Sequence, residues 1–242
     1  MNNKRLIECV VFTALVYATT IAIQVSQPAT GGYFNLGESM IYLAALVTSP
    51  LVAGLAGGIG AALADLSTGY AIFAPGTLVI KLVEGVIAGL LVRKLRGIHG
   101  LYKAILTSGA YTFSFIVIAS VLWAGEVYIG PEKWLKYELE PLHAEIPIVV
   151  WIIIGVLMGG LVLYALVYKR VSSGEVYALA IAGSLMILGY FLYEYFISNP
   201  ITGRDPIAAI AEVPINIGQV IAGISISIPI ATWLRKAGFI KQ

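Results

Sequence analysis

Eight polar or charged side chains interrupt the apolar runs of this sequence and could together bind a small molecule. Glu212, Asn216 and Gln219 are spaced by four and three residues, so they share one face of a predicted helix. Lys81 and Glu84 are three residues apart, which predicts an ion pair. The remaining three are Glu38, Asp65 and Glu194. Amides and carboxylates gathered in this way favour a binding site for a planar polar heterocycle. The alternative is a network of polar side chains that satisfy one another's hydrogen bonds and fix the packing of the helices.

Aromatic side chains accompany these groups in the loops and helix ends nearby. Flat aromatic faces suit stacking on a heterocyclic ring. Phe73 and Tyr190 lie at the same predicted depth, and Asn35 adds a further amide. The predicted substrate-binding residues are Tyr33, Phe34, Asn35, Glu38, Tyr70, Lys81, Glu84, Tyr193, Glu194, Glu212, Asn216 and Gln219.

The sequence lacks the motifs of the common enzyme classes. It has no G-x-x-x-x-G-K-[ST] phosphate loop, no H-E-x-x-H zinc motif and no G-x-S-x-G nucleophile elbow. Cys9 is the only cysteine, and His99 and His143 lie far apart, so neither a disulfide nor a metal site is predicted. We therefore expect neither an enzyme nor a bound cofactor. An intramembrane enzyme with Glu84 and Glu212 as acid and base is the weakest hypothesis, because no nucleophile accompanies them.

Composition indicates an integral membrane protein. Of the 242 residues, 59% are hydrophobic and only 12% are Asp, Glu, Lys or Arg, whereas soluble domains carry about 25% charged residues. The net charge of +2 is too small for a nucleic-acid-binding surface. A soluble enzyme, a disordered chain and a nucleic-acid-binding protein are disfavoured, and the lipid bilayer is the predicted environment.

Hydropathy predicts eight membrane helices. Pro50 divides the second apolar run from the third, because proline disfavours helix at the residue before it. The second run is shorter than the roughly 20 residues of a full span, so it must tilt or lie partly within the protein. The first run is interpreted as an uncleaved span rather than a signal peptide. The segments are 6–25, 38–49, 51–66, 75–92, 104–124, 147–168, 176–197 and 207–234.

The distribution of Lys and Arg predicts the orientation of the chain. With the N-terminus inside, eleven of these residues lie on the inner side and three on the outer side, as expected for a plasma-membrane protein with both termini in the cytoplasm. The polar residues named above then fall in the outer half of the bilayer. The inner set is Lys4, Arg5, Arg93, Lys94, Arg96, Lys103, Lys169, Arg170, Arg235, Lys236 and Lys241, and the outer set is Lys133, Lys136 and Arg204.

The outer segment 125–146 has two interpretations. It is polar and contains Trp134 and Tyr137, which favour the headgroup level of a bilayer. It is predicted to be either a short interfacial helix or a solvated loop.

A stripe of alanines on the first helix also leaves two alternatives open. Ala14, Ala18 and Ala22 recur every four residues, a spacing that lets helix backbones approach closely in lipid. The stripe either packs within the protein or docks on another membrane protein.

Three stretches carry a resemblance to a known family. Residues 32–85, with their blocks NLGE, ALAD and APGTLVIK, resemble the substrate-binding (S) components of energy-coupling factor transporters, in particular the riboflavin-type branch. GYFLYEYFI at 189–197 and AEVPINIGQVIAGISISIP at 211–229 resemble the last two helices of the same family. The resemblance implies one all-α transmembrane domain over 1–242. Its six-helix core would lie at about 6–92 and 176–234, with a two-helix insertion at about 101–171.

The resemblance also implies a function and partners. The chain would capture a water-soluble vitamin at its outer face, with riboflavin favoured and thiamine or its pyrimidine precursor next. A transmembrane coupling subunit and two cytosolic ATPase subunits would drive uptake. Ala14 and Ala18 match the family's A-x-x-x-A docking pattern, which Ala22 extends. Family substrate sites use positions comparable to Tyr33, Asn35, Lys81, Glu84, Asn216 and Gln219.

A rival hypothesis from another class is a stand-alone secondary transporter of a small polar heterocycle. Glu84 or Glu212 would then be the proton site of an ion-coupled cycle. Such carriers often contain inverted repeats, and we find none in this sequence.

Overall fold

The computed structural model describes residues 3–27, 32–122, 124–168 and 171–239. Within these ranges seven helices are long and apolar enough to cross a membrane, and an eighth apolar helix is shorter. The prediction of an all-α integral membrane protein is confirmed. Lys169, Arg170 and Lys241, which contribute to the predicted charge asymmetry, lie outside the described residues.

Short connections join most of the helices, whereas longer segments that contain strands separate α1 from α2 and α5 from α6. A π-helical turn (Glu194–Ser198) joins α7 to α8, and a 3₁₀ helix (Pro206–Ala211) leads into α9. The bounds are α1 (Asn3–Ala22), α2 (Gly37–Val47), α3 (Pro50–Thr68), α4 (Ala74–Leu95), α5 (Leu101–Leu122), α6 (Ile148–Val167), α7 (Ser173–Tyr193), α8 (Asn199–Thr202) and α9 (Glu212–Lys236).

The short helix α2 lies inside the protein, as its length predicts. All of its residues except Val47 are buried, and it packs against α1, α3, α4 and α9. Pro50 is the first residue of α3, where its missing N–H breaks no helical hydrogen bond. The Ser49 hydroxyl caps this helix by accepting from the Val52 N–H at 3.3 Å. The predicted division of residues 38–66 into two helices is therefore confirmed.

Six helices form one group, and two lie beside it. Helices α1 to α4, α7 and α9 pack around one another, whereas α5 and α6 pack on each other and mainly on α9. This arrangement has the layout of a six-helix core with an added pair. The insertion itself remains a prediction.

An ion-pair cluster around a buried carboxylate joins α7, α9 and the residue after α4, at the end where α2 finishes. Arg235 of α9 contacts Glu175 of α7 at 2.8 Å, and Arg96, just after α4, contacts the same carboxylate at 3.0 Å. Arg235 also donates to the carbonyl of Leu46 at 3.3 Å. Because Glu175 has two cationic partners, its charge is compensated although the side chain is buried.

Glycines let α3 and α4 approach closely. A Cβ atom on Gly85 would lie 2.5 Å from the carbonyl oxygen of Ala53 and 2.8 Å from Cα of Gly54. This distance is well inside van der Waals contact, so the small residues of these two helices serve internal packing.

Replacing Gly85 with alanine should therefore destabilise the protein. We expect a loss of about 1–3 kcal/mol in the free energy of unfolding, because the backbone of α3 must move to admit a methyl group. Thermal unfolding in detergent measures the change. Gly109→Ala on α5 is the matched control, since a Cβ there meets nothing within 4 Å. Equal melting temperatures for the two variants would show that the helices do not approach as described.

Short strands gather at the end of the bundle where α1 finishes and α2 begins, here called the strand end. The segment 125–146 is strand and turn in place of an interfacial helix or a plain loop, so both interpretations from the sequence are wrong. The antiparallel pairs are β1 (Gln24–Gln27) with β2 (Gly32–Asn35), β3 (Gly125–Ile129) with β6 (Leu142–Ile146), and β4 (Lys133–Trp134) with β5 (Tyr137–Glu138).

Contacts with the bundle explain why this segment forms hairpins. The Gly130 N–H donates to the carbonyl of Gln24 at 2.8 Å, which ties the end of β3 to β1. At the far tip, Trp134 Nε1 donates to the Tyr17 hydroxyl at 3.1 Å, and the Leu135 N–H donates to the carbonyl of Ser67 at 2.6 Å. These partners lie on β1, α1 and α3, so sequence within the segment does not show them.

Candidate functional site

A polar cavity lies inside the bundle at the strand end. All the empty space in it, open solvent at its mouth included, is about 490 Å³, but the space that the centre of a water molecule can reach is only about 40 Å³, room for a few water molecules. Eight of the predicted substrate-binding residues line it: Tyr33, Asn35, Glu38, Lys81, Glu194, Glu212, Asn216 and Gln219. The structure therefore brings together residues from the hairpin β1–β2, α2, α4, the π-helical turn and α9.

A buried charge network forms one wall of the cavity. The Lys81 ammonium contacts the carboxylate of Glu38 and lies 3.5 Å from Glu84. The Tyr42 hydroxyl donates to the other oxygen of Glu84 at 2.8 Å. The predicted Lys81–Glu84 pair is present. The contact between Lys81 and Glu38, by contrast, joins α4 to α2, and the spacing of residues in the sequence could not predict it.

A chain of amides forms a second wall. Asn35 Nδ2 donates to Gln219 Oε1 at 2.7 Å, and Gln219 Nε2 donates to Asn216 Oδ1 at 2.7 Å. Asn35 Oδ1 accepts from the Gly37 N–H at 2.8 Å, at the first turn of α2. Each amide is therefore oriented by a neighbour, and the shared face predicted for α9 is the one that meets β2.

A tyrosine–carboxylate pair stands beside these walls. The Tyr33 hydroxyl donates to Asp65 Oδ1 at 2.6 Å, and its ring centroid lies 4.4 Å from that of Tyr70. Burial, followed by the charge of Asp65, raises the pKa of the Tyr33 phenol well above its ordinary value. Tyr33 therefore remains a hydrogen-bond donor at any physiological pH.

Four predicted residues lie outside the cavity lining. Glu84 lies behind Lys81, and Tyr70 lies behind Tyr33. The Tyr193 hydroxyl donates to the carbonyl of Ile72 at 2.7 Å. Phe34 lines a separate apolar cavity with Trp151 and other side chains of α5, α6 and α9, because neighbouring residues of a strand point to opposite faces.

The lining also includes residues outside the predicted substrate-binding set. Thr77 stands one helical turn before Lys81 and accepts a hydrogen bond from the Tyr190 hydroxyl at 3.0 Å. Phe73 and Thr20 also line the cavity. The threonines are easily overlooked because a hydroxyl in an apolar helix usually bonds to its own backbone, as Thr20 does with Val16 at 2.7 Å. Of these residues, only Thr77 could have been predicted from the sequence, because it lies one helical turn before Lys81 and therefore on the same face of α4.

In the described part of the chain, no three His, Cys, Asp or Glu side chains are grouped so that they could hold a metal ion. The cavity instead presents amides, hydroxyls, aromatic rings, carboxylates and one ammonium. Such a set recognises an organic molecule by hydrogen bonds, ring contacts and charge.

The fold and the cavity together define a polytopic helical membrane protein with a polar site buried near one end of its bundle. Residues 1–162 match the sequence model of the family described as ECF-type riboflavin transporter, S component. The chain belongs to this family, as the motifs at 32–85 predict. The family consists of transporter subunits rather than enzymes.

A curated relative gives a second comparison. The chain is 51% identical over 74 residues to a Pyrococcus woesei protein named "Uncharacterized protein in gap 3'region". The aligned part is 31% of this chain and 49% of the relative, so the chain spans about half the length of the curated relative that it matches. The name of the relative assigns it no activity.

The family match includes the stretch 32–85 that carries the resemblance, but not the stretches 189–197 and 211–229. It includes α1 to α5 and most of α6, and it ends before α7. The boundaries predicted for the core helices, at about 6–92 and 176–234, and for the inserted helices, at about 101–171, stay predictions.

Proposed function

We propose that this protein captures a water-soluble vitamin in the polar cavity for ATP-driven import. The observation that carries the proposal is the convergence of buried polar groups from five elements on one cavity. Membrane proteins bury such groups mainly where they serve a function. Riboflavin is the first candidate, in keeping with the family description, and thiamine or its pyrimidine precursor comes next.

The predicted orientation is part of this proposal. The excess of Lys and Arg at the opposite end supports a cytoplasmic location for both termini, which places the strand end outside. A vitamin would then enter from the external medium. Since the cavity has room for only a few waters, we expect lining side chains to move when the ligand binds.

Ligand binding by the purified protein tests the proposal. The full chain in detergent is titrated with riboflavin, thiamine and the pyrimidine precursor, and calorimetry reports the affinity. Small molecules released from the protein purified from its host are identified by mass spectrometry. We expect saturable binding of a vitamin with one site per chain. A protein that binds none of the panel and releases no small molecule would contradict the proposal.

We further propose that α1 docks on the transmembrane coupling subunit, which two cytosolic ATPases would drive. Ala14, Ala18 and Ala22 are all exposed on α1. Ala14 also lines an apolar groove between α1 and α3, together with Tyr17 and Leu63. A row of small exposed residues beside a groove allows a partner helix to approach closely.

Enlarging two of these alanines should separate binding from transport. Ala14→Leu with Ala18→Leu should leave vitamin affinity within about twofold and reduce uptake by the full complex at least tenfold. The added side chains prevent close helix approach without touching the cavity. Uptake of radiolabelled vitamin by proteoliposomes containing all subunits measures the effect. Ala110→Leu, at an exposed alanine of α5, is the control; wild-type uptake by the double variant would refute the docking role.

The alternative function is a stand-alone ion-coupled secondary transporter, and the buried titratable groups allow it to be tested. Lys81, Glu38 and Glu84 form a charge network of the kind found in ion-coupled carriers. Proteoliposomes containing this chain alone would then accumulate substrate, and an uncoupler would abolish the accumulation. Uptake that requires ATP and the partner subunits favours the S-component function instead.

A further inference from the structure

A second cavity lies beside the polar one and is almost entirely apolar. Its walls come from the hairpins at the strand end and from α5, α6 and α9. The space that the centre of a water molecule can reach in it is about 260 Å³, against about 40 Å³ in the polar cavity. Its size and its lining therefore distinguish it from the proposed vitamin site.

The apolar cavity offers water almost no hydrogen-bond partners. Among the described residues that line it, Ser225 alone is not hydrophobic. The Ser225 hydroxyl donates to the carbonyl of Ile221 at 2.5 Å and contacts the Tyr111 hydroxyl, so it is already paired. Buried waters usually make about three hydrogen bonds, and engineered apolar cavities of about 150 Å³ stay dry and bind benzene or xenon. A larger cavity of this kind favours a hydrocarbon occupant.

This cavity opens towards the membrane. All the empty space in it, the surroundings at its mouth included, is about 810 Å³. Ile154 and Met158 of α6 and Ile226 of α9 line it and are only half-buried. Helix α6 and the segment that contains α9 are both long and apolar enough to cross a bilayer. The molecules beside such an opening in a membrane are lipids.

The depth of the apolar cavity matches one leaflet of a bilayer. On α6 its lining extends from Trp151 to Met158. Met158 follows the first residue of α6, Ile148, by ten residues, which is about 15 Å along an α-helix. The hydrocarbon core of a bilayer is about 30 Å thick, so this depth corresponds to half of it. A lipid tail that enters at the strand end would extend over the same distance.

Strand β2 separates the two cavities. Phe34 lines the apolar cavity, whereas its neighbours Tyr33 and Asn35 line the polar one. Phe34 is 6% exposed, and Phe115 of α5, on the same apolar lining, is 5% exposed. A tail in the cavity would therefore contact side chains that the surrounding lipid does not reach, and it would pack behind the strand that lines the polar cavity.

We infer that the apolar cavity binds the hydrocarbon tail of a membrane lipid, which enters from the leaflet at the strand end. The tail supplies the dispersion contacts that the lining side chains lack when the cavity is empty. A polar vitamin does not suit this space, because its hydrogen-bonding groups would be left unpaired there. The lipid site is thus distinct from the proposed vitamin site and does not depend on it.

Photolabelling in a bilayer tests the inference on the full chain. The protein is reconstituted into phosphatidylcholine vesicles in which some lipids carry a diazirine near the end of one tail. Fragmentation mass spectrometry locates the adducts after illumination, and we expect adducts on Phe115, inside the cavity. Phe113 lies two residues away on the same helix and is 72% exposed. The surrounding lipid should label Phe113 in every sample, which shows that the probe reacts.

Filling the cavity should remove the internal label. Ala222 lines the cavity and is 7% exposed, so Ala222→Leu should reduce labelling of Phe115 at least fivefold relative to Phe113. Ile154→Trp, at the half-buried rim, serves in its place if that variant does not fold. Ala110→Leu, at an exposed alanine of α5, is the control and should leave the ratio within about twofold of the wild type.

Three results would overturn the inference. Labelling of Phe113 without labelling of Phe115 would show that no tail enters the cavity, and this comparison needs no variant. Labelling of Phe115 that neither filling variant reduces would show that the probe reaches it by another route. A diazirine fatty acid that labels Phe115 where the phospholipid does not would show that the occupant is a free amphiphile instead of a bilayer lipid. None of these measurements involves a vitamin, so the proposed function is tested separately.

Discussion

Replacing Lys81 with methionine should lower the free energy of unfolding by about 3–5 kcal/mol. The ammonium contacts Glu38 and lies 3.5 Å from Glu84, and all three side chains are at most 4% exposed. Methionine fills similar space but leaves two buried carboxylates without a counter-charge, which is strongly destabilising. Denaturant titration of the detergent-solubilised protein measures the change.

Two further variants show whether charge balance is the cause. Lys81→Met combined with Glu38→Gln and Glu84→Gln removes the whole ionic network and should recover most of the lost stability. Lys133→Met removes an exposed lysine from β4 and should change the free energy of unfolding by less than about 0.5 kcal/mol. A single Lys81 variant as stable as the wild type would contradict the network described here.

Removing either cavity-facing amide of α9 should weaken vitamin binding by about 10- to 100-fold. Asn216 and Gln219 are linked at 2.7 Å, and Asn35 donates to Gln219 at 2.7 Å. Alanine at either position removes a cavity-facing group and leaves its neighbour without an oriented partner. That range of affinity corresponds to a loss of about 1.4–2.8 kcal/mol, which falls within the roughly 1–3 kcal/mol that an unsatisfied hydrogen-bonding group costs.

Asn199→Ala is the matched control for these amide variants. Asn199 is equally buried, but it lies on α8 and donates to the carbonyl of Asp205 at 3.3 Å. Its replacement should lower the melting temperature slightly and leave the dissociation constant of the vitamin unchanged. Wild-type affinity in both Asn216→Ala and Gln219→Ala would show that the amide chain serves helix packing alone, the alternative that the sequence left open.

Some features of the site could be predicted because they depend on neighbours within a few residues. The shared face of Glu212, Asn216 and Gln219 follows from helical geometry, and so does the Lys81–Glu84 pair. The break at Pro50 follows from the chemistry of one residue. The membrane environment could also be predicted, because it follows from the apolar composition of the helices and does not depend on which helices contact one another.

Contacts between elements distant in the chain could not be predicted from spacing. Glu38 contacts Lys81 only because α2 is enclosed by its neighbours and turns one particular face towards α4. The segment 125–146 forms hairpins because Gln24, Tyr17 and Ser67 offer hydrogen-bond partners on other elements. Local sequence carries no information about such partners.

The sequence by itself determined that this chain is a helical membrane protein with polar residues at defined positions along its helices. Only the tertiary structure decided which of those residues meet. The rotation of each helix about its axis is set by close packing, as where Gly85 lets α4 approach Ala53, and that rotation aims a side chain into the cavity or away from it. Phe34 and Tyr33, neighbours in the chain, line different cavities for the related reason that adjacent residues of a strand face opposite ways.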